Sequence, residues 1–177
     1  WLQDNAENQD ESTAMIVTAK WDDTAPSTFS LTQPLAGWYN QTEYRFEWQA
    51  SSDATSGLSH YLFSLNGGNE TAEISPDSTG FSPSFGLAQG SHTWTLTAYD
   101  SAGNSLETSN PQTISVDHTP PGITHNPVQE ATENTAVVIN AVFTEDGSGQ
   151  SGIYKAELYY RRGGESNWQP PVDMSTL

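Results

Sequence analysis

Cysteine is absent from the 177 residues, which excludes a disulfide framework and any thiolate-held metal. Basic residues are nearly absent too: five Lys and Arg stand against 22 Asp and Glu, a formal net charge of −17. Phosphate contacts need a basic face, so nucleic acid is excluded as a partner, and anionic membrane surfaces are disfavoured on the same ground. No apolar run approaches the roughly 20 residues of a membrane-spanning helix, so no membrane insertion is expected. No signal peptide is present, but a chain that begins at Trp1 reads as processed, excised or incompletely registered, and the missing leader does not argue for the cytoplasm. Catalytic vocabulary is also thin. There is no Gly-x-Ser-x-Gly elbow, no paired carboxylates mark a cleft, and the histidines at 60, 92, 118 and 125 lack metal-ligand spacing. The chain is expected not to be an enzyme.

What is abundant is alternation. Glu43-Tyr44-Arg45-Phe46-Glu47-Trp48-Gln49-Ala50 places Tyr44, Phe46, Trp48 and Ala50 on one face, and Thr93-Trp94-Thr95-Leu96-Thr97-Ala98 repeats the device. Period two with aromatic enrichment predicts half-buried strands, and no helical period competes with it. Turn chemistry at Asn66-Gly67-Gly68-Asn69, Ala102-Gly103-Asn104, Gly147-Ser148-Gly149 and Arg162-Gly163-Gly164 separates the runs. The pattern predicts an all-β two-sheet sandwich, with strands A (27–33), B (43–50), C (60–65), C′ or D (71–75), E (79–87), F (92–99) and G (111–117). Val137, Ile139, Ala141 and Phe143 continue the pattern in the last third.

The chain also repeats itself. Asp22-Asp23-Thr24-Ala25-Pro26 returns 95 residues later as Asp117-His118-Thr119-Pro120-Pro121, and Ser56-Gly57-Leu58 returns at the same offset as Ser151-Gly152-Ile153. Asp4-Asn5-Ala6-Glu7-Asn8 echoes Asp100-Ser101-Ala102-Gly103-Asn104 at an offset of 96. A period of this length means an array of similar domains. The expected parse is an F–G hairpin remnant of a preceding repeat (1–21), a complete repeat (22–116) and a partial repeat covering strands A to about E (117–177). Strand G of the preceding unit is expected at 13–20. The Pro-containing linkers fix φ and restrict the residue before them, so the joints should be semi-rigid.

Asp-x-Thr-Ala-Pro, Trp48, Ser56-Gly57-Leu58-x-x-Tyr61 and Gly90-x-His92-x-Trp94-x-Leu96-x-Ala98-x-Asp100-x-Ala102-Gly103-Asn104 together resemble the immunoglobulin-like or fibronectin type III-like tandem repeats of bacterial and archaeal surface proteins. The resemblance implies a non-catalytic extracellular, cell-surface module: a spacer, stalk or adhesin rod of a larger repeat-containing protein. His92 stands where that family usually places an aromatic at the strand F corner, so a different corner bond is expected. Two other functions stay open. One is a self-assembling filament or surface-layer subunit, in which the N-terminal hairpin of one copy completes the unfinished C-terminal sandwich of the next, head to tail. The other is a carbohydrate-binding or spacer module of a secreted hydrolase, with polysaccharide as partner.

Candidate sites follow from this topology. The start of strand A, the B–C loop and the F–G loop share one pole, which gathers Asp22, Asp23, Asp53 and Asp100; Asp117, Glu145 and Asp146 form the equivalent group at the next joint. Carboxylates with turn carbonyls are the hard oxygen ligands calcium prefers. The plain reading is that these are ordinary turn and cap residues, since no Asp-x-Asp-x-Asp-Gly loop occurs. No other cofactor is indicated. Asn40-Gln41-Thr42 and Asn69-Glu70-Thr71 match the N-glycosylation triplet. Trp38-Tyr39, expected in the A–B loop, offers a stacking platform for sugars or a cover for the bottom of the sandwich.

Overall fold

The computed structural model describes residues 2–10, 18–128, 136–145, 147, 149–161 and 163–174. Among them there is no helix; the chain is all-β. The central body is built from nine strands: β3 (Leu31–Gln33), β4 (Gly37–Tyr39), β5 (Phe46–Trp48), β6 (Leu58–Leu65), β7 (Glu70–Ile74), β8 (Gly80–Phe81), β9 (Gly90–Asp100), β10 (Ser105–Glu107) and β11 (Gln112–Val116). One sheet runs β4-β11-β9-β6-β7, with β10 also on β9, and the other runs β3-β5-β8. The inner faces of the two sheets share one core, a sandwich-like arrangement.

Alternation dictates that core. Phe46 and Trp48 of β5 face Tyr61, Phe63 and Leu65 of β6 and Trp94, Leu96 and Ala98 of β9, while Ile114 and Val116 of β11 close the side. Trp94, Leu96 and Ala98 are fully buried, and the intervening threonines face outward. The aromatic rings meet edge-on or tilted: Phe46 lies 4.8 Å from Phe63 and 5.0 Å from Trp94, centroid to centroid, separations at which the ring quadrupoles attract.

Several element boundaries differ from the sequence expectation. Residues 27–30 are expected in strand A, but the ladder begins at Leu31, and its register shifts between Leu31 and Gln33. The preceding residues still bond across, Ser27 N to Ser52 O and Gln49 N to Ser30 O. The expected strand E shrinks to Gly80–Phe81. Trp38-Tyr39 lies in a strand and not in a loop, since β4 runs parallel to β11. At the strand F corner, His92 Nε2 donates to Ala88 O at 2.7 Å, four residues upstream, and Asn66 Nδ2 approaches Nδ1 at 3.0 Å. The imidazole thus ties β9 to the turn before it.

Outside the body, β1 (Leu2–Gln3) pairs antiparallel with β2 (Gln9–Asp10). Of the strand expected at 13–20, residues 13–17 lie outside the described residues, and 18–20 carry no ladder. In the last third, β12 (Gly122–His125) pairs with β13 (Ala141–Thr144), and β14 (Glu157–Leu158) with β15 (Val172–Asp173). Val137 and Ile139, expected in the same strand as Ala141, precede the ladder. Apolar residues stand open here: Ile123 and Val142 are each 62% exposed, whereas Phe46 and Trp94 in the body are at 0%.

The candidate acidic joint

Asp22 precedes strand A, Asp53 lies in the loop between β5 and β6, and Asp100 ends β9. Their carboxylates converge so that one oxygen from each lies within 4.8 Å of the others. Each is fixed by local chemistry. Asp100 Oδ1 accepts from Ala102 N at 2.9 Å and Asn104 N at 2.8 Å, and Oδ2 accepts from Asn104 Nδ2 at 2.8 Å. Asp53 Oδ1 accepts from the amides of Thr55, Ser56 and Gly57 at 3.0, 2.8 and 3.0 Å. Asp22 Oδ1 accepts from Thr24 N at 3.0 Å, but its Oδ2 is sealed from solvent and has no hydrogen-bond donor.

Two struts hold this pole to the core. Ser51 N donates to the buried Tyr61 hydroxyl at 2.7 Å, which sets the loop carrying Asp53. Asn104 Nδ2 reaches the backbone oxygens of Asp22 and Thr24 at 3.2 and 3.3 Å, so the turn after β9 clasps the incoming linker.

The electrostatics follow from these bonds. The amide of Ser56 leads those that hold the Asp53 carboxyl below the ordinary carboxylate range, outweighing the upward push of burial. At Asp100 burial is the largest influence and pushes upward, yet the Asn104 side chain and three backbone amides together draw the carboxyl below its usual value. Asp53 and Asp100 are therefore held as anions close together, where each raises the cost of the other. Asp23, expected in the same group, is exposed and outside the cluster.

The far joint is organised differently. Asp117 Oδ1 accepts from Thr119 N at 3.0 Å, as Asp22 does from Thr24. Its Oδ2 takes the amide and hydroxyl of Ser151, both at 2.8 Å, and the Ser151 and Thr119 amides keep its carboxyl low. Glu145 Oε2 is sealed from solvent with no hydrogen-bond partner among the described residues. Asp146 lies outside the described residues. Further bonds tie this joint to the body: Asp117 N to Tyr39 O, His118 Nε2 to Gln41 O, and Thr119 Oγ1 to Gln89 Oε1. A Cβ at Gly149 would lie 2.8 Å from Gly90 Cα, so two backbones touch there.

Trp38 and Tyr39, adjacent on β4, do not form one platform. Tyr39 packs on the core and donates its hydroxyl to Leu35 O at 2.8 Å, while Trp38 is 51% exposed. A cleft of about 340 Å³ runs from Trp38 past Asn40 and Gln41 to Asp117 and Ser151. Asn40 and Asn69 are both exposed. The contribution of Gln89, Gly90 and Gln41 to the joint is not readable from residue type. Their only sequence signal is proximity to the turn before β9 and to the end of β4. The fold and its joints define an all-β, sandwich-like protein with an acidic pole. No family model and no curated protein matches the chain.

Proposed function

We propose that this chain is a non-catalytic extracellular structural module, a section of a rod of immunoglobulin-like or fibronectin type III-like tandem repeats. The observation that carries the reading is where the linkers attach. β9 runs from Gly90, beside which Gly149 packs, to Asp100, beside which Asp22 lies. An eleven-residue strand spans about 33 Å, so the chain enters the body at one end and leaves at the other. Both linkers are held by hydrogen bonds to the turns they pass, which favours a fixed orientation over a loose tether. Bearing load between neighbours needs no more than this.

At the near joint the proposal includes calcium. The donorless Asp22 oxygen beside Asp53 and Asp100 presents the oxygen-rich, anionic surroundings that a hard divalent cation neutralises. A bound cation there would stiffen the entry of the linker.

Small-angle X-ray scattering of the full chain tests the rod. A compact chain of this length has a radius of gyration of about 16 Å. The proposal expects a clearly larger value and a longest dimension of at least about 66 Å, two such spans. Gly149→Ala should alter the profile, because the new Cβ meets backbone at a residue with φ of 80°. A radius near 16 Å, or a variant indistinguishable from the parent, would overturn the reading.

A further inference from the structure

The ladder between β5 and β8 opens where a proline falls in its path. Phe46 pairs with Phe81 and Glu47 with Gly80. Continuing that register would set Tyr44 against Pro83, which has no N–H to donate. Among the described residues, no backbone hydrogen bond joins 42–45 to 82–86. The two segments close again at Gly86, where an added Cβ would lie 3.0 Å from Thr42 O. Between these two closures lies a cleft of about 720 Å³. Its volume is that of pockets which hold small ligands.

The lining decides which ligand fits. Thr42, Ser82 and Ser84 bring hydroxyls, Gln41 an amide and Glu43 a carboxylate. Arg45 is matched by Glu47, with Nε donating to Oε1 at 2.8 Å. An anion therefore meets no unmatched cation in the lining, and it meets Glu43 in a chain of net charge −17. A divalent cation meets one carboxylate, far short of the oxygen set it takes. An apolar ligand would strip water from the hydroxyls and the charged groups without replacing their hydrogen bonds.

What remains is a neutral molecule rich in hydroxyls and with one apolar face. Phe85, 39% exposed, supplies an aromatic ring for such a face. Tyr44 also lines the cleft, and its hydroxyl is buried without a hydrogen-bond partner. A buried polar group in that state marks a hydrogen bond still to be made. Trp38, the stacking residue expected from the sequence, does not line this cleft.

We propose that the cleft between 41–45 and 82–86 is a binding site for a short neutral saccharide. The sugar ring lies with its C–H face on Phe85, and its hydroxyls exchange hydrogen bonds with Thr42, Ser82, Ser84 and Glu43. The site lies wholly in the central body, so it stands or falls separately from the rod.

The test is saturation-transfer NMR and isothermal titration of the full chain with three separate probes: maltotriose, cellotriose and chitotriose. The expected result is binding of one of them. Phe85→Ala should weaken it by about tenfold or more. Ser84→Ala, which removes a hydroxyl and leaves the ring in place, should weaken it by about threefold. Trp fluorescence confirms that both variants stay folded. Trp38→Ala should leave the affinity unchanged. Binding of none of the three probes would overturn the proposal. So would an affinity that neither Phe85→Ala nor Ser84→Ala lowers, or one that Trp38→Ala abolishes, since the exposed indole would then be the site.

Discussion

Removing a single oxygen from the core should loosen the acidic pole. The Tyr61 ring is fully buried, 5.7 Å from Phe29 and 5.4 Å from Trp48, centroid to centroid. Its hydroxyl accepts the Ser51 amide at 2.7 Å, and Ser51 is itself only 7% exposed. Tyr61→Phe keeps both ring contacts and leaves no space as large as a methyl group, so the transfer and cavity costs of a core truncation do not apply. What remains is a buried backbone N–H without an acceptor, which costs about 1–3 kcal/mol. For a body of this size that corresponds to roughly 4–8 °C in melting temperature per kcal/mol. The measurement is urea unfolding followed by Trp fluorescence, comparing midpoints at unchanged slope. A loss under about 0.5 kcal/mol would refute the reasoning, because it would mean that water or a relaxed loop satisfies the amide at no cost. The neighbouring Ser51 Oγ to Ser27 O bond, at 2.6 Å, gives an internal control: it ties the segment before β3 to the same loop and survives the substitution.

Two other perturbations probe the pole itself. Adding calcium to chelator-treated protein should raise the melting temperature by roughly 10–20 °C at a hundredfold excess over Kd; Asp22→Asn should abolish most of that rise, and an unchanged melt in excess chelator would remove calcium from the account. Acid should unfold the body steeply. Asp53, Asp100 and Asp117 have folded values below the ordinary carboxylate value of about 3.9. Their stabilisation is therefore complete above that value and lost as pH falls through the lower folded ones. Unfolding monitored by near-UV circular dichroism should show a transition below about pH 4 that is shallower in Asp53→Asn; equal steepness in parent and variant would contradict the assignment.

Much of the fold was legible because period-two alternation is a direct statement about burial. Every inward residue of the Thr93–Ala98 run is fully buried, and Phe46 and Trp48 lie where their alternation puts them. The strand at Gly37–Tyr39 was not legible. It is three residues long, parallel to β11 and held by pairing with residues 77 positions away, so no local pattern encodes it. The same fact splits Trp38 from Tyr39, since neighbours on a strand point to opposite faces. At the pole, the sequence repeat located Asp22, Asp53 and Asp100 through topology. Asp23 was included only by adjacency, and its exposed position shows the limit of that inference.

The two joints, alike in sequence, differ in how their acceptors are matched to donors. Asp22 and Asp117 each use one oxygen to accept from the threonine two residues on. At the far joint the second oxygen takes both donors of Ser151, and Asp117 is satisfied without help. At the near joint the corresponding serine, Ser56, gives its amide to Asp53 instead, and Asp22 Oδ2 is left sealed and donorless. Ser148 holds the sequence place of Asp53 in the later segment, which explains why Ser151 turns to Asp117 there. A buried acceptor without a donor is costly, and a second anion close by makes it costlier. A cation removes that penalty at the near joint and has no such penalty to remove at Asp117. The calcium proposal therefore rests on the joint that carries an aspartate in the loop after β5, where Asp22 Oδ2 lies sealed beside Asp53 and Asp100.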